Sequence, residues 1–208
     1  DALKALKTAG GGKGGYLYER PWYVIIGPPG SGKTTAIRNS GLSFPLAEGR
    51  VSGVGGTRNC DWWIAEQAVL IDTAGRYTTQ DSDTQVDKAG WSRFLDLLRR
   101  ERADQPLNGV VVAFGADLLC KLDATGREQH ARAVRQRVRE LEERLGQRLP
   151  VYLLVSKCDL LSGFTEFFDN LDAESRRQVW GVSLDPSAAA EGPSGRFRGE
   201  FRALLQRL

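Results

Sequence analysis

The chain is expected to fold as an α/β domain in which a mainly parallel sheet carries one antiparallel strand and helices cover both faces. Three observations lead there. Short apolar runs alternate with longer segments of helical periodicity along most of the sequence, the pattern of repeated strand-helix units. Trp22 to Ile26 and Gly109 to Phe114 are apolar runs without polar alternation, as strands buried on both faces are. Only Glu66 and Gln67 separate two of the short runs, Cys60 to Ala65 and Ala68 to Asp72, and so short a joint permits only an antiparallel pair.

In chain order, residues 1–15 join a Lys/Ala/Leu stretch to Gly10-Gly11-Gly12-Lys13-Gly14-Gly15, the composition of a flexible linker. Residues 16–208 are expected to form one domain without internal repeats. Trp22 to Ile26 reads as the first strand and Thr35 to Asn39 as the opening of a helix. A loop rich in Gly, Ser and Arg runs from Gly41 to Asn59, followed by the two strands of the hairpin. A polar loop, Gly75 to Asp87, leads to a helix near Lys88 to Arg102, and Gly109 to Phe114 is another buried strand. Arg127 to Leu149 is the clearest helix, because Ala131, Val134, Val138, Leu141, Leu145 and Leu149 recur at spacings of three and four. Arginines fill its other faces among Glu140, Glu142 and Glu143, which reads as a solvated, self-paired surface rather than a nucleic-acid face. Val151 to Val155 makes the next strand, Phe164 to Val179 carries helical patterns, Gly181 to Leu184 a last short strand, and Arg196 to Leu208 a closing helix.

Composition removes several classes. A net charge of +3 from 29 basic and 26 acidic residues is too small and too mixed to require nucleic acid as a partner. The longest apolar candidate, Val110 to Cys120, is broken by Gly115 and Asp117 and falls short of a membrane span. Cys60, Cys120 and Cys158 are odd in number and far apart, so they suit reduced thiols better than a disulfide framework or a zinc site. His130, the single histidine, lies in a charged helical stretch and reads as solvated. The absence of any methionine is expected of a segment from inside a longer or trimmed protein.

Chemistry concentrates first in Gly27-Pro28-Pro29-Gly30-Ser31-Gly32-Lys33-Thr34, with Thr35 following. This satisfies G-x-x-x-x-G-K-[ST] between a strand and a helix. Glycines there let backbone N–H groups turn toward phosphates, the lysine reaches the β/γ-phosphates, and the hydroxyl of Thr34 is placed on Mg²⁺. Asp72 ends an apolar strand and precedes Thr73-Ala74-Gly75-Arg76. A carboxylate at that place can hold Mg²⁺, while Gly75 can offer its N–H to a γ-phosphate. A nucleoside triphosphate or diphosphate is the expected ligand.

Ser156-Lys157-Cys158-Asp159, ending another strand, is similar to the [N/T]-K-x-D element with which GTPases read guanine. An ionised Asp159 would accept from the base's N1–H and amine, and the stem of Lys157 would pack over the base; adenine offers no matching donor pair. Ser156 departs from the usual Asn or Thr, yet its hydroxyl can brace a neighbouring loop. Ser183 is a candidate for a base-flanking loop. Thr57 occupies the place of the switch threonine that joins Mg²⁺ when a γ-phosphate is present, and neighbouring Arg58 reads as a solvated loop residue. Where Ras-like GTPases place a water-orienting Gln, this chain has Arg76, which cannot accept a proton but can neutralise developing charge, as in the signal-recognition-particle GTPases that share D-T-A-G-R. Gln80, Asp81 and Asp83 are nearby candidates to position water. Hydrolysis is therefore expected to be slow.

Together, Leu17 to Tyr23, Gly27 to Thr35, Gly55 to Trp63 and Ile71 to Asp81 resemble the TssM/IcmF family, the inner-membrane component of bacterial type VI secretion machines. The resemblance runs from Tyr16 onward. It implies an NTPase domain on the cytoplasmic face of the inner membrane; joined to the residue readings above, the expectation is a P-loop NTPase of Ras-like GTPase architecture, using Mg²⁺ and GTP/GDP in preference to ATP/ADP. The resemblance also implies membrane attachment through flanking spans outside this chain, and other membrane-complex and baseplate subunits as partners. Some family members lack an intact phosphate loop; here Gly27, Gly32, Lys33 and Thr34 are all present. A nucleotide-dependent scaffold with negligible turnover, and an ATPase in which Lys157-Cys158-Asp159 is structural, remain open alternatives.

Overall fold

The computed structural model describes residues 17–44, 60–79, 84–184 and 192–206. The expected linker at 1–15 and the residues Thr57, Arg58, Gln80, Asp81 and Asp83 lie outside these ranges. The chain divides into two compact units, Asp1–Ser162 and Gly163–Leu208.

The first unit is a mixed, mostly parallel sheet with helices around it. Its elements are β1 (Trp22–Ile26), α1 (Lys33–Arg38), β2 (Cys60–Ile64), β3 (Val69–Thr73), α2 (Arg76–Thr79), α3 (Thr84–Glu101), β4 (Gly109–Gly115), α4 (Ala116–Lys121), α5 (Ala124–Leu145) and β5 (Val151–Ser156). The sheet order is β2-β3-β1-β4-β5. β1 pairs in parallel with β3 and β4, and β4 with β5, while β2 alone runs antiparallel, against β3. The hairpin closes through Ala65 N–H donating to the Ala68 carbonyl at 2.9 Å.

Alternation along each strand sends side chains to two cores. Trp22, Val24 and Ile26 join Val69, Ile71, Val110 and Val112 beneath Trp91, Leu95 and Leu98 of α3 and Leu141 and Leu145 of α5. Ile25 and Ala113 meet Ile37 of α1 on the opposite face, with Trp63, Leu70 and Leu154 at the margin. The two tryptophans of β2 follow the same rule. Trp62 packs edge-on against Trp22 at 5.2 Å between centroids, and Trp63 against Phe44 at 5.4 Å.

α5 starts where Asp123 accepts a hydrogen bond from Gly126 N–H at 2.7 Å, satisfying one of the donors that a helix start leaves open. It ends at Gly146, short of the expected Leu149, which is nevertheless buried. Two residues depart from the expected face. Ala131 is exposed, and Arg137 is buried with its guanidinium 2.7 Å from Glu140. His130 is half-buried rather than solvated.

A buried arginine also closes the opposite end of the sheet. Arg102 lies over Trp22 at 4.6 Å and Tyr18 at 5.0 Å and donates to Asn108 Oδ1 at 3.3 Å; that same oxygen accepts from Trp22 N–H at 2.8 Å.

The second unit contains α6 (Phe164–Phe168), a single 3₁₀ turn at Ser175–Arg177 and α7 (Gly192–Leu205). The helical pattern expected over 164–179 is thus only partly realised. The strand expected at Gly181 to Leu184 is not formed. Four residues opening on glycine offer little to a ladder, and the neighbouring apolar residue, Trp180, packs instead with Phe164 and Phe168 at 6.4 and 6.0 Å.

Candidate functional site

Topology gathers distant sequence segments at one edge. β1, β3, β4 and β5 are parallel, so the residues following each of them emerge on the same side. β3 lies on one flank of β1 and β4 on the other, which makes the carboxyl end of β1 the point where strand order reverses. Crevices form at such points because the connections diverge to opposite faces.

Gly27 opens the loop after β1 with φ 153°, and a Cβ there would collide with the Ala113 carbonyl oxygen. Only glycine serves both demands. The loop then turns through Ser31 N–H donating to the Pro28 carbonyl at 3.2 Å and enters α1 at Lys33. Pro28 and Ser31 are buried, Pro29, Gly30 and Thr35 exposed, and Gly32 and Thr34 half-buried. Lys33 folds over its own loop. Its Nζ donates to the carbonyls of Gly27 at 2.8 Å and Pro28 at 3.0 Å and approaches Ser31 Oγ at 3.4 Å. Burial lowers its pKa from the usual 10.5, partly opposed by the charge of Asp72.

Asp72 is fully buried near the end of β3 and accepts from Thr34 Oγ1 at 2.5 Å. The neighbouring Thr73 hydroxyl donates to the Ile25 carbonyl at 2.7 Å, fixing the strand end against β1. Thr34 and Asp72 therefore present two hard oxygen donors side by side at the loop's mouth, a set suited to Mg²⁺. No cluster of three His, Cys, Asp or Glu exists among the described residues, so such an ion would complete its shell from phosphate and water oxygens. Burial together with Asp61 and Asp72 pushes the nearby Cys60 thiol up to about 12, so it stays protonated and is no nucleophile.

The segment after β3 is locked onto the glycine loop. A Cβ on Gly75 would collide with the backbone of Pro28 and Pro29, so the two backbone segments touch at Gly75. Three residues on, the buried Thr78 Oγ1 accepts from Gly27 N–H at 3.0 Å. Arg76 is engaged elsewhere: its Nε donates to Asp87 Oδ1 at 2.8 Å and its guanidinium lies 5.1 Å from the Tyr77 ring centre.

On the other flank, Ser156 Oγ donates to the Ser31 carbonyl at 2.8 Å, so the serine braces the glycine loop. Lys157 Nζ lies 3.6 Å from Asp117, and Asp159 sits exposed in the 3₁₀ turn Cys158–Leu160. Gly27 to Thr34, Asp72, Gly75 and Ser156 are thus brought together. Ser183 falls in the second unit, exposed and outside any strand.

Thr78, Asp87 and Asp117 carry contacts that sequence reasoning did not single out. Their partners lie 51, 11 and 40 positions away (the last from 157 minus 117), so only the fold reveals them.

A family model described as the IcmF-related N-terminal domain matches residues 84–208. The chain is 56% identical over 217 aligned positions to the type VI secretion system component TssM1 of Pseudomonas aeruginosa. That alignment covers 100% of this chain and 20% of the relative, so the chain spans about one fifth of that protein's length.

Proposed function

Because the chain belongs to the TssM/IcmF family, we propose that it is the nucleotide-dependent part of a type VI secretion membrane subunit, a P-loop NTPase domain of Ras-like architecture that binds and slowly hydrolyses Mg²⁺-GTP in preference to ATP. The observation that carries this reading is the Thr34–Asp72 pair at 2.5 Å beside the buried Lys33 ammonium, where the start of α1 meets the end of β3. A cation and two metal-ligand oxygens around exposed backbone amides make a triphosphate site. The strand order, with β2 alone reversed, supports the Ras-like assignment.

In this reading Lys33 exchanges its bonds to the Gly27 and Pro28 carbonyls for the β/γ-phosphate oxygens. Thr34 and Asp72 hold Mg²⁺, joined by Thr57 when a γ-phosphate is present. The ion's contribution is to neutralise charge on the phosphate oxygens. Gly27 to Thr35 form the cradle, with the N–H groups of Gly30 and of Gly32 to Thr35 as its donors; the Gly75 N–H senses the γ-phosphate, and Ser156 keeps Ser31 in place. Asp159 reads guanine beneath the Lys157 stem, and Ser183 is carried as a base-flanking candidate. No helix among the described residues is long and apolar enough to cross a membrane; attachment to the inner membrane through spans elsewhere in the protein is part of the proposal. Nucleotide state would then bias assembly with other membrane-complex and baseplate subunits at the cytoplasmic face.

A second reading, a nucleotide-dependent scaffold with negligible turnover, is favoured by one observation: Arg76 is bound to Asp87 at 2.8 Å. Single-turnover hydrolysis of radiolabelled GTP and ATP by wild type and Lys33→Ala separates the two. Faster GTP cleavage by wild type supports the enzyme; equal, negligible rates in both leave the scaffold reading standing and remove the enzyme.

A further inference from the structure

We propose that Asp117 is a positioning residue for Lys157, holding the lysine stem where it packs on the base of bound nucleotide. The proposal rests on the nucleotide reading above and concerns only the base end of that site. Lys157 is the one non-glycine residue with a positive φ among the described residues, at 57°. L-residues avoid this conformation. Here it lets the chain leave β5 and enter the turn in which Leu160 N–H donates to the Lys157 carbonyl at 3.1 Å, so the root of the side chain is fixed. The tip is fixed too, with Nζ 3.6 Å from Asp117 Oδ2.

Gly115 makes this second anchor feasible. It is paired with Ser156 across the ends of β4 and β5. A Cβ at Gly115 would collide with Asp117 Oδ1 and lie 3.3 Å from Lys157 Cδ. The carboxylate and the lysine stem therefore cross over a bare Cα. Lys121 also approaches Asp117, at 3.7 Å, but its side chain is 76% exposed against 37% for Lys157, so Lys157 is the better-held partner. A long side chain tied at both ends has less rotamer freedom to lose when a base settles on it.

Equilibrium binding of GTP and of inorganic tripolyphosphate to the full 208-residue chain tests this, because only GTP has a base. Asp117→Asn is expected to weaken GTP about fivefold, the scale of a partly exposed ion pair, and to leave tripolyphosphate unchanged. In a Lys157→Ala background the same change is expected to add nothing, and Lys121→Met to leave both ligands unaffected. Gly115→Ala, which displaces the carboxylate without removing it, is expected to reproduce the GTP-selective loss. Equal weakening of both ligands, or an undiminished effect in the Lys157→Ala background, overturns the proposal. If wild type binds GTP and Asp117→Asn is silent, this proposal alone fails; if wild type binds tripolyphosphate but not GTP, the base-end reading fails with it.

Discussion

Lys33 is held in an uncomfortable place. Its ammonium is buried among carbonyls, with Asp72 as partial compensation, and its pKa is depressed from 10.5. In the unfolded chain the lysine keeps its ordinary pKa, so between the two values the unfolded state binds more protons than the folded state. Stability consequently rises with pH through that window, and below it the folded protein carries the full penalty of a buried charge. Lys33→Met is expected to lack this slope in thermal melts of nucleotide-free protein, and to lose any melting shift from Mg²⁺-GTP. A wild-type slope identical to that of Lys33→Met would contradict the assignment. The same penalty favours binding, since phosphate oxygens add to the countercharge that Asp72 supplies only in part. Much of this was legible in the sequence, because the order G-K-T after an apolar strand fixes what each group can do. The internal bonds of Lys33 were not, since they depend on how the loop folds when its own carbonyls are the nearest acceptors.

α2 matters out of proportion to its four residues. Gly75 touches Pro29 and Thr78 receives the Gly27 N–H, so this short helix and the glycine loop form one rigid piece. Thr78→Val removes the acceptor at nearly constant shape and leaves a buried donor unsatisfied. A loss of about 1–3 kcal/mol in urea unfolding is expected, together with weaker nucleotide binding. Unchanged stability would show that Gly27 finds another acceptor. The hairpin β2-β3 and helix α5 were readable because a two-residue joint and a three-four periodicity each admit a single interpretation. The strand expected at Gly181 to Leu184 does not form because four residues opening on glycine carry no periodicity, and the adjacent Trp180 packs with Phe164 and Phe168 instead of entering a ladder. Arg137 was invisible for a related reason: the pattern counts apolar residues, while a paired arginine can occupy the same stripe.

At the scale of the whole chain, the division after Ser162 separates the candidate site from the closing helix. Among the described candidate residues, Gly27 to Thr35, Asp72, Gly75, Arg76, Ser156, Lys157 and Asp159 belong to the first unit, and only Ser183 belongs to the second. A chain ending at Ser162 is therefore expected to bind nucleotide within about threefold of the full chain, less than 1 kcal/mol. Loss of binding on truncation would contradict the placement of the site within the first unit. The family model covers 84–208, whereas the alignment with the Pseudomonas aeruginosa relative runs over the whole chain, the glycine loop included. The central claim, Mg²⁺-dependent binding of a guanine nucleotide, is tested most directly by competition: a fluorescent GTP analogue on the purified chain, displaced by unlabelled GTP or ATP, with Mg²⁺ or with chelator. The expected result is displacement by GTP at lower concentration than ATP, weakened by chelator and abolished in Lys33→Ala. Displacement by ATP before GTP would contradict the guanine reading, and no saturable binding of either nucleotide would contradict the site itself.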